Sequence, residues 1–138
     1  MRVVLKLIAT LLLAGGLLGC SQTGKKDEDF KPPTTKAREA LEAALNHWKN
    51  GNPPGTVPGT KPAIEVVDSR WKAAPKQLQD YEIIGEEAPP SETSPRYFKV
   101  RLTMAKGPPQ EVRYVVLGID PLWVYSEKDF NNLEGTGK

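Results

Sequence analysis

Arg96-Tyr97-Phe98-Lys99-Val100-Arg101-Leu102-Thr103-Met104 is the stretch that decides the fold. Phe98, Val100, Leu102 and Met104 alternate with Tyr97, Lys99, Arg101 and Thr103. A period of two places one set on an apolar face and the other toward solvent, which is a half-buried strand. Downstream, residues 105–110 around Gly107-Pro108-Pro109 read as a loop, and Glu111 to Ile119 returns. There Val112, Tyr114 and Val116 alternate with Arg113, Val115 and Leu117. Asp120-Pro121 is a turn, Leu122-Trp123-Val124-Tyr125 a last short strand, and residues 131–138 a frayed tail. Upstream, Leu78 to Glu87 forms a strand through Tyr81, Ile83 and Ile84, and Ile64-Glu65-Val66-Val67 a shorter one. Between them, residues 69–77 carry Trp71 in a turn or short helical piece.

Before the strands the period changes. Ala37, Leu41, Ala44, Leu45 and Trp48 recur at three- and four-residue spacing, the buried stripe of a helix over residues 35–50. Thr34 or Thr35 is placed to cap its start, and Asn50-Gly51 to end it. Residues 51–62, GNPPGTVPGTKP, form a loop on proline and glycine content. The part from Gly55 to Lys61 is no phosphate loop, because its spacing is wrong, no strand leads in and no helix follows.

A helix followed by hairpin-connected strands argues for a single α+β domain over residues 35–130. The expected architecture is one N-terminal helix packed on a curved antiparallel sheet of four to five strands. This element order, over residues 35–126, resembles the cystatin-like and NTF2-like shape, in which a sheet curls around an N-terminal helix. A plainer helix-on-meander sandwich satisfies the same pattern. The resemblance implies a concave pocket of the kind that NTF2-like folds often contain.

The first twenty residues, MRVVLKLIATLLLAGGLLGC, have a different character. Arg2 and Lys6 precede an apolar run from Leu7 to Leu18, too short for the ~20 residues of a spanning helix and suited to a signal peptide. Its end, Leu17-Leu18-Gly19-Cys20, resembles the lipobox of bacterial lipoproteins. The resemblance implies removal of residues 1–19, a diacylglyceryl thioether on Cys20 and retention in the cell envelope. Ser21 after the cysteine fits sorting to an outer membrane. Two or three acyl chains make such anchoring stable where one does not. Residues 20–34 then read as the lipidated cysteine and a polar tether, too poor in apolar groups to fold alone.

Composition narrows the chemistry. The chain of 138 residues carries 19 basic and 17 acidic side chains. Cleavage before Cys20 removes Arg2 and Lys6 and no acid, leaving 17 against 17, so a nucleic-acid partner is not expected. With one cysteine and one histidine, His47, neither a disulfide nor a histidine-rich metal site is available, and no cofactor is implied. Neither G-x-S-x-G nor H-E-x-x-H occurs. His47 could serve as a general base with a carboxylate partner, but a partly exposed helix residue accounts for it as well. Glu82, Glu86, Glu87 and Asp120 are available carboxylates whose spacing singles out no pair.

The candidate surface is aromatic and basic. Tyr97, Lys99 and Arg101 share a strand face, and Arg113 falls beside them on the next strand. That face is expected to bind an envelope protein or an anionic polymer, while a cross-strand pair of Glu82 with Lys99 or Arg101 is the structural alternative. Trp71 and Trp123 are expected to complete the core. Two functions follow. The first is a non-catalytic, membrane-anchored binding or assembly module, and the second is a small enzyme using an NTF2-like pocket with carboxylate and tyrosine groups.

Overall fold

A computed structural model describes residues 31–135. Residues 1–30 and 136–138 are outside this range, and with them the expected leader, Cys20 and most of the tether. The helix α1 spans Thr34–Lys49, as its apolar spacing predicts, and buries Ala37, Ala40, Leu41, Ala44, Leu45 and Trp48. Its start differs from expectation. Pro33 holds the capping position, neither threonine caps, and the Pro33 carbonyl takes the first helical bond from Ala37 at 2.9 Å. Its end follows the left-handed pattern at Gly51, with φ +87°. Gly51 N–H donates to the Trp48 carbonyl at 2.8 Å and Asn52 N–H to that of His47 at 3.2 Å, so the otherwise orphaned carbonyls are satisfied.

The strands are β1 (Thr56–Val57), β2 (Ile64–Val67), β3 (Leu78–Glu87), β4 (Arg96–Met104), β5 (Gln110–Gly118) and β6 (Leu122–Ser126). Two short helices accompany them, α2 (Ser69–Ala73) after β2 and α3 (Glu127–Gly135) after β6. The described residues therefore form an α+β domain with one six-stranded sheet in the order β1-β2-β6-β5-β4-β3. Three corrections follow, the first being six strands in place of the expected four to five. The sheet is mixed rather than antiparallel, because β6 runs parallel to β2 with Ile64 opposite Leu122 and Val66 opposite Val124. The chain after Asn131 continues α3 to Gly135 instead of fraying at once. The loop of residues 51–62 also contributes β1, a two-residue partner for β2.

One face of the sheet lies against α1 and supplies Phe98, Val100, Leu102, Tyr114, Val116 and Val124, all at most 1 % exposed. In β3 the strict alternation fails. Register shifts between Leu78 and Asp80 and between Ile83 and Gly85 re-aim the chain, so Leu78 and Ile83, five residues apart, are both buried. Trp48 and Trp71 stack at 5.2 Å and 7°, and both are fully buried. Each indole N–H is satisfied, Trp48 by the Ala74 carbonyl at 3.0 Å and Trp71 by that of Asn52 at 2.7 Å. Trp71 thus completes the core as expected. Trp123 does not. It lies on the opposite sheet face, partly exposed and stacked on Tyr125 at 5.9 Å. Strand alternation explains this, since Leu122 and Val124 take the core side.

Gly118 closes β5 with φ +92°, and a Cβ built there would meet the Pro121 carbonyl oxygen at 2.6 Å. Gly59 has a similar φ of +77° with open space around it. Gly59→Ala should therefore cost about 1–2 kcal/mol, the left-handed penalty alone. Gly118→Ala should cost clearly more in urea denaturation, because backbone must also move.

Candidate functional site

The sheet face away from α1 carries the residues singled out in the sequence. Tyr97 lies level with Val115 of β5, and Lys99 lies opposite Arg113. Arg101 sits between Glu82 of β3 and Glu111 of β5, and its two terminal nitrogens bond them at 3.0 and 3.1 Å. Lys99 approaches Glu87 at 3.6 Å, and Arg113 approaches Glu87 at 3.5 Å and Glu127 at 3.2 Å. The expected Glu82–Arg101 pair is thus present, and the three cations are enclosed by four carboxylates. Each of these pairs is partly or largely exposed, worth about 0–1 kcal/mol. Collectively they cancel the positive potential that a row of Lys99, Arg101 and Arg113 suggests by itself. A shallow, charge-lined depression of about 420 Å³ lies over Glu87, Lys99, Glu111, Val112, Arg113 and Glu127.

The remaining candidates are dispersed. Glu86 pairs with Arg96 at 2.9 Å, and Asp120 is exposed in the β5–β6 turn. His47 is partly exposed, edge-on to Trp71 with ring centroids 6.2 Å apart. Among the described residues no three His, Cys, Asp or Glu side chains gather as a metal site. No helix among them is long and apolar enough to cross a membrane.

The densest polar cluster lies elsewhere, where β2 leads into α2. Asp68, 3 % exposed, caps α2 by accepting from Arg70 N–H at 3.0 Å and Trp71 N–H at 3.3 Å. Its second oxygen accepts from the Tyr114 hydroxyl at 2.6 Å. Burial pushes the Tyr114 phenol well above its ordinary value, the adjacent Asp68 charge pushes in the same direction, and Arg70 offsets part of both. Tyr114 therefore stays protonated and donates. Asp129 of α3 stands beside this pair and accepts from Ser69 N–H at 2.8 Å, from Ser69 Oγ at 3.2 Å and from Ser126 Oγ. Burial alone would raise the Asp129 carboxyl, but the bonds from Ser126 and Ser69 outweigh it and hold its pKa below the usual carboxylate range. Asp68, Ser69, Lys72 and Asp129 border an open groove of about 520 Å³ whose other wall includes Pro53, Pro54 and Val67.

Sequence reasoning passed over this cluster, although two local signals were present. Asp68-Ser69-Arg70-Trp71 has an acid at the capping position of a short helix. Ser126-Glu127-Lys128-Asp129 has the spacing of a capping box, and Asp129 N–H donates to Ser126 Oγ at 3.2 Å. What no local signal gives is that the two caps meet, because Ser69 and Asp129 are 60 residues apart.

Two titrations test the cluster. Tyr114→Phe should cost about 1–3 kcal/mol at neutral pH, because Asp68 loses a buried partner. Because the folded pKa of Tyr114 is raised, its contribution is complete below about pH 10 and declines as pH rises further. Tyr114→Phe should remove that part of the alkaline decline in denaturant midpoints. Asp129 has the opposite sign. Its lowered pKa gives stability above about pH 3.9 that is lost as pH falls through the folded value. Asp129→Asn should lower stability at neutral pH and flatten the acid limb. Among known proteins, no family model, no curated protein and no solved structure matches this chain.

Proposed function

We propose that this chain is an exported bacterial lipoprotein, processed before Cys20 and held to an envelope membrane by lipid on that cysteine. Its domain acts there as a non-catalytic binding or assembly module. The anchor rests on Leu17-Leu18-Gly19-Cys20 at the end of a short apolar leader, in a chain with no other cysteine. The choice of a binding module over an enzyme rests on one observation. Most of the space between α1 and the sheet is filled by Trp48, Trp71, Phe98 and Tyr114, each at most 1 % exposed, and the cleft of about 220 Å³ left under the start of α1, bordered by Lys36, Glu39, Lys61, Ile64 and Leu122, brings no pair of carboxylates together with a tyrosine. Within the same reading the domain is of the cystatin-like or NTF2-like kind. An N-terminal helix lying over a sheet that ends in the meander β3 to β6 supports this, while the parallel β2–β6 pair departs from a plain helix-on-meander.

The enzyme reading has one observation in its favour, the convergence of Asp68, Tyr114 and Asp129. Their chemistry tells against it. Both oxygens of Asp68 are already bonded, the tyrosine is buried, and the open groove meets Asp68 and Asp129 without Tyr114 among its walls. A general acid or base must reach a substrate proton at hydrogen-bond distance.

The outer sheet face is the surface we assign to partner contact, with Tyr97, Lys99, Arg101 and Arg113 as its candidate residues. Its charge, three cations against four carboxylates, favours a protein partner of mixed charge over an anionic polymer, because a polyanion would have to displace those carboxylates.

Intact mass of the chain isolated from its envelope should show an N-terminus at Cys20 and added acyl groups, and Cys20→Ala should move the chain from the membrane to the soluble fraction. An unmodified mass, or a variant that stays with the membrane, overturns the anchor. Replacing Lys99, Arg101 and Arg113 together by Gln should cut recovery of envelope proteins in affinity capture at least several-fold. Unchanged recovery removes this face as the contact surface.

A further inference from the structure

Three turns come together at one end of the sheet. The registers set Arg96 level with Val116 and Val124, and Gly118 with Leu122 and Ile64 one step further out. The β3–β4 connection, the turn of Ile119, Asp120 and Pro121, and the Lys61-Pro62 approach to β2 therefore share this end. The first described residues are tied to it as well. Arg96 Nε donates to the Pro32 carbonyl at 2.8 Å, Pro32 is fully buried, and Lys31 Nζ reaches the Glu92 carbonyl at 3.4 Å. The last part of the expected tether is thus packed on the domain. Only residues 21–30 separate Cys20 from Lys31, a reach of at most ~40 Å when fully extended.

Beside this end, the outer sheet face carries an apolar group of side chains bordered by Glu65, which lies level with Trp123 and accepts from the Thr56 hydroxyl at 2.6 Å. Trp123 is partly exposed and lies in register with Leu117, and Ile119 in the adjoining turn is 51 % exposed. The indole stacks on Tyr125 with centroids 5.9 Å apart and planes 25° apart, and its Cδ1 borders the space that a side chain at Gly118 would take. An indole stacked in this way, apolar on one side and open on the other, is the group that settles at the boundary between headgroups and acyl chains. Charge at this end is close to balance, with Lys31, Lys36 and Lys61 against Glu39, Glu65, Glu92 and Asp120. A zwitterionic lipid surface is therefore neither attracted nor repelled by it, and contact has to come from apolar burial.

We propose that this end of the domain rests on the phospholipid surface that holds Cys20, with Trp123 and Ile119 at headgroup level. The inference builds on the lipid-anchor reading. A surface this small binds bilayers too weakly to hold a free chain, but a tether this short keeps it at millimolar local concentration, where weak contact suffices. The domain is then presented with the start of α1 toward lipid and the α2 groove away from it.

The molecule carries its own probe. Trp48 and Trp71 are fully buried, so Trp123 is the tryptophan that an external quencher reaches. The full lipidated chain is reconstituted in phosphatidylcholine vesicles, either plain or brominated on the acyl chains near the headgroup, with Trp123→Phe as the reference. The Trp123 component should fall roughly twofold in brominated vesicles, as for an indole at headgroup depth, and should not recover when salt is raised. Equal emission in both vesicles from a chain that carries acyl mass overturns the lipid contact and leaves the anchor standing. A chain without acyl mass overturns the anchor. The contact is then judged by adding the same vesicles in excess, where absence of quenching overturns it too. Loss of acrylamide access to Trp123 without bromine quenching points to a second copy as the occupant and overturns the proposal.

Discussion

Trp48 and Trp71 lie face to face 5.2 Å apart with no exposed surface, and most of the domain is arranged around that contact. Trp48 ends the buried stripe of α1, and Trp71 is the buried residue of α2. The stack therefore fixes where the chain must go on leaving β2. Its two N–H groups bind the carbonyls of Ala74 and Asn52, so the loops on either side are drawn in as well. Offset or stacked aromatic pairs contribute about 0.5–1.5 kcal/mol beyond their buried area, and deleting either ring would leave a cavity costing about 3–5 kcal/mol. With most of the volume under α1 occupied in this way, what stays open there is a cleft of about 220 Å³ near the start of the helix, between Lys36, Glu39, Lys61 and Leu122.

The Asp68 cluster is the polar counterpart of that stack. A buried carboxylate is tolerable only when its lone pairs are used, and Asp68 uses them on two backbone N–H groups of α2 and on Tyr114. The same residue thus caps the helix that carries Trp71 and ties it to β5. Asp129 repeats the arrangement one layer outward, joining the start of α3 to Ser69. Packing and hydrogen bonding converge on one short segment, residues 68–71, whose ends belong to different layers.

Much of this was legible in the sequence where the signal is local. The α1 stripe, the alternation in β4 and β5, the short β2 and the helical piece bearing Trp71 all follow from periodicity and end signals. Pairing was not legible. Nothing in Ile64-Glu65-Val66-Val67 says that its neighbour is Leu122 to Tyr125, 58 residues on and parallel, because either strand satisfies its own alternation with any partner. Trp123 was misassigned for a related reason: residue type argued for the core, but the register set by Leu122 and Val124 put it outside. The candidate basic face was legible as residues and not as a field. Lys99, Arg101 and Arg113 can be listed from one strand pair, whereas their neutralising carboxylates come from β3, β5 and α3.

That last difference bears on what kind of recognition the domain can perform. Where cations stand unpaired, a polyanion gains Coulomb energy at every contact and selectivity is low. Here each cation already has a carboxylate at 3.0–3.6 Å, so an incoming anion exchanges one partner for another at little net gain. A protein surface of alternating charge can instead match the pattern row by row, exchanging several pairs together while Tyr97 supplies apolar area in the same face. Such a contact would be weak for a freely diffusing chain and adequate for one whose position is restricted to a plane. Under the proposed anchoring, confinement near a membrane and a self-paired face of three cations and four carboxylates would fit together, because confinement makes strong, unspecific attraction unnecessary.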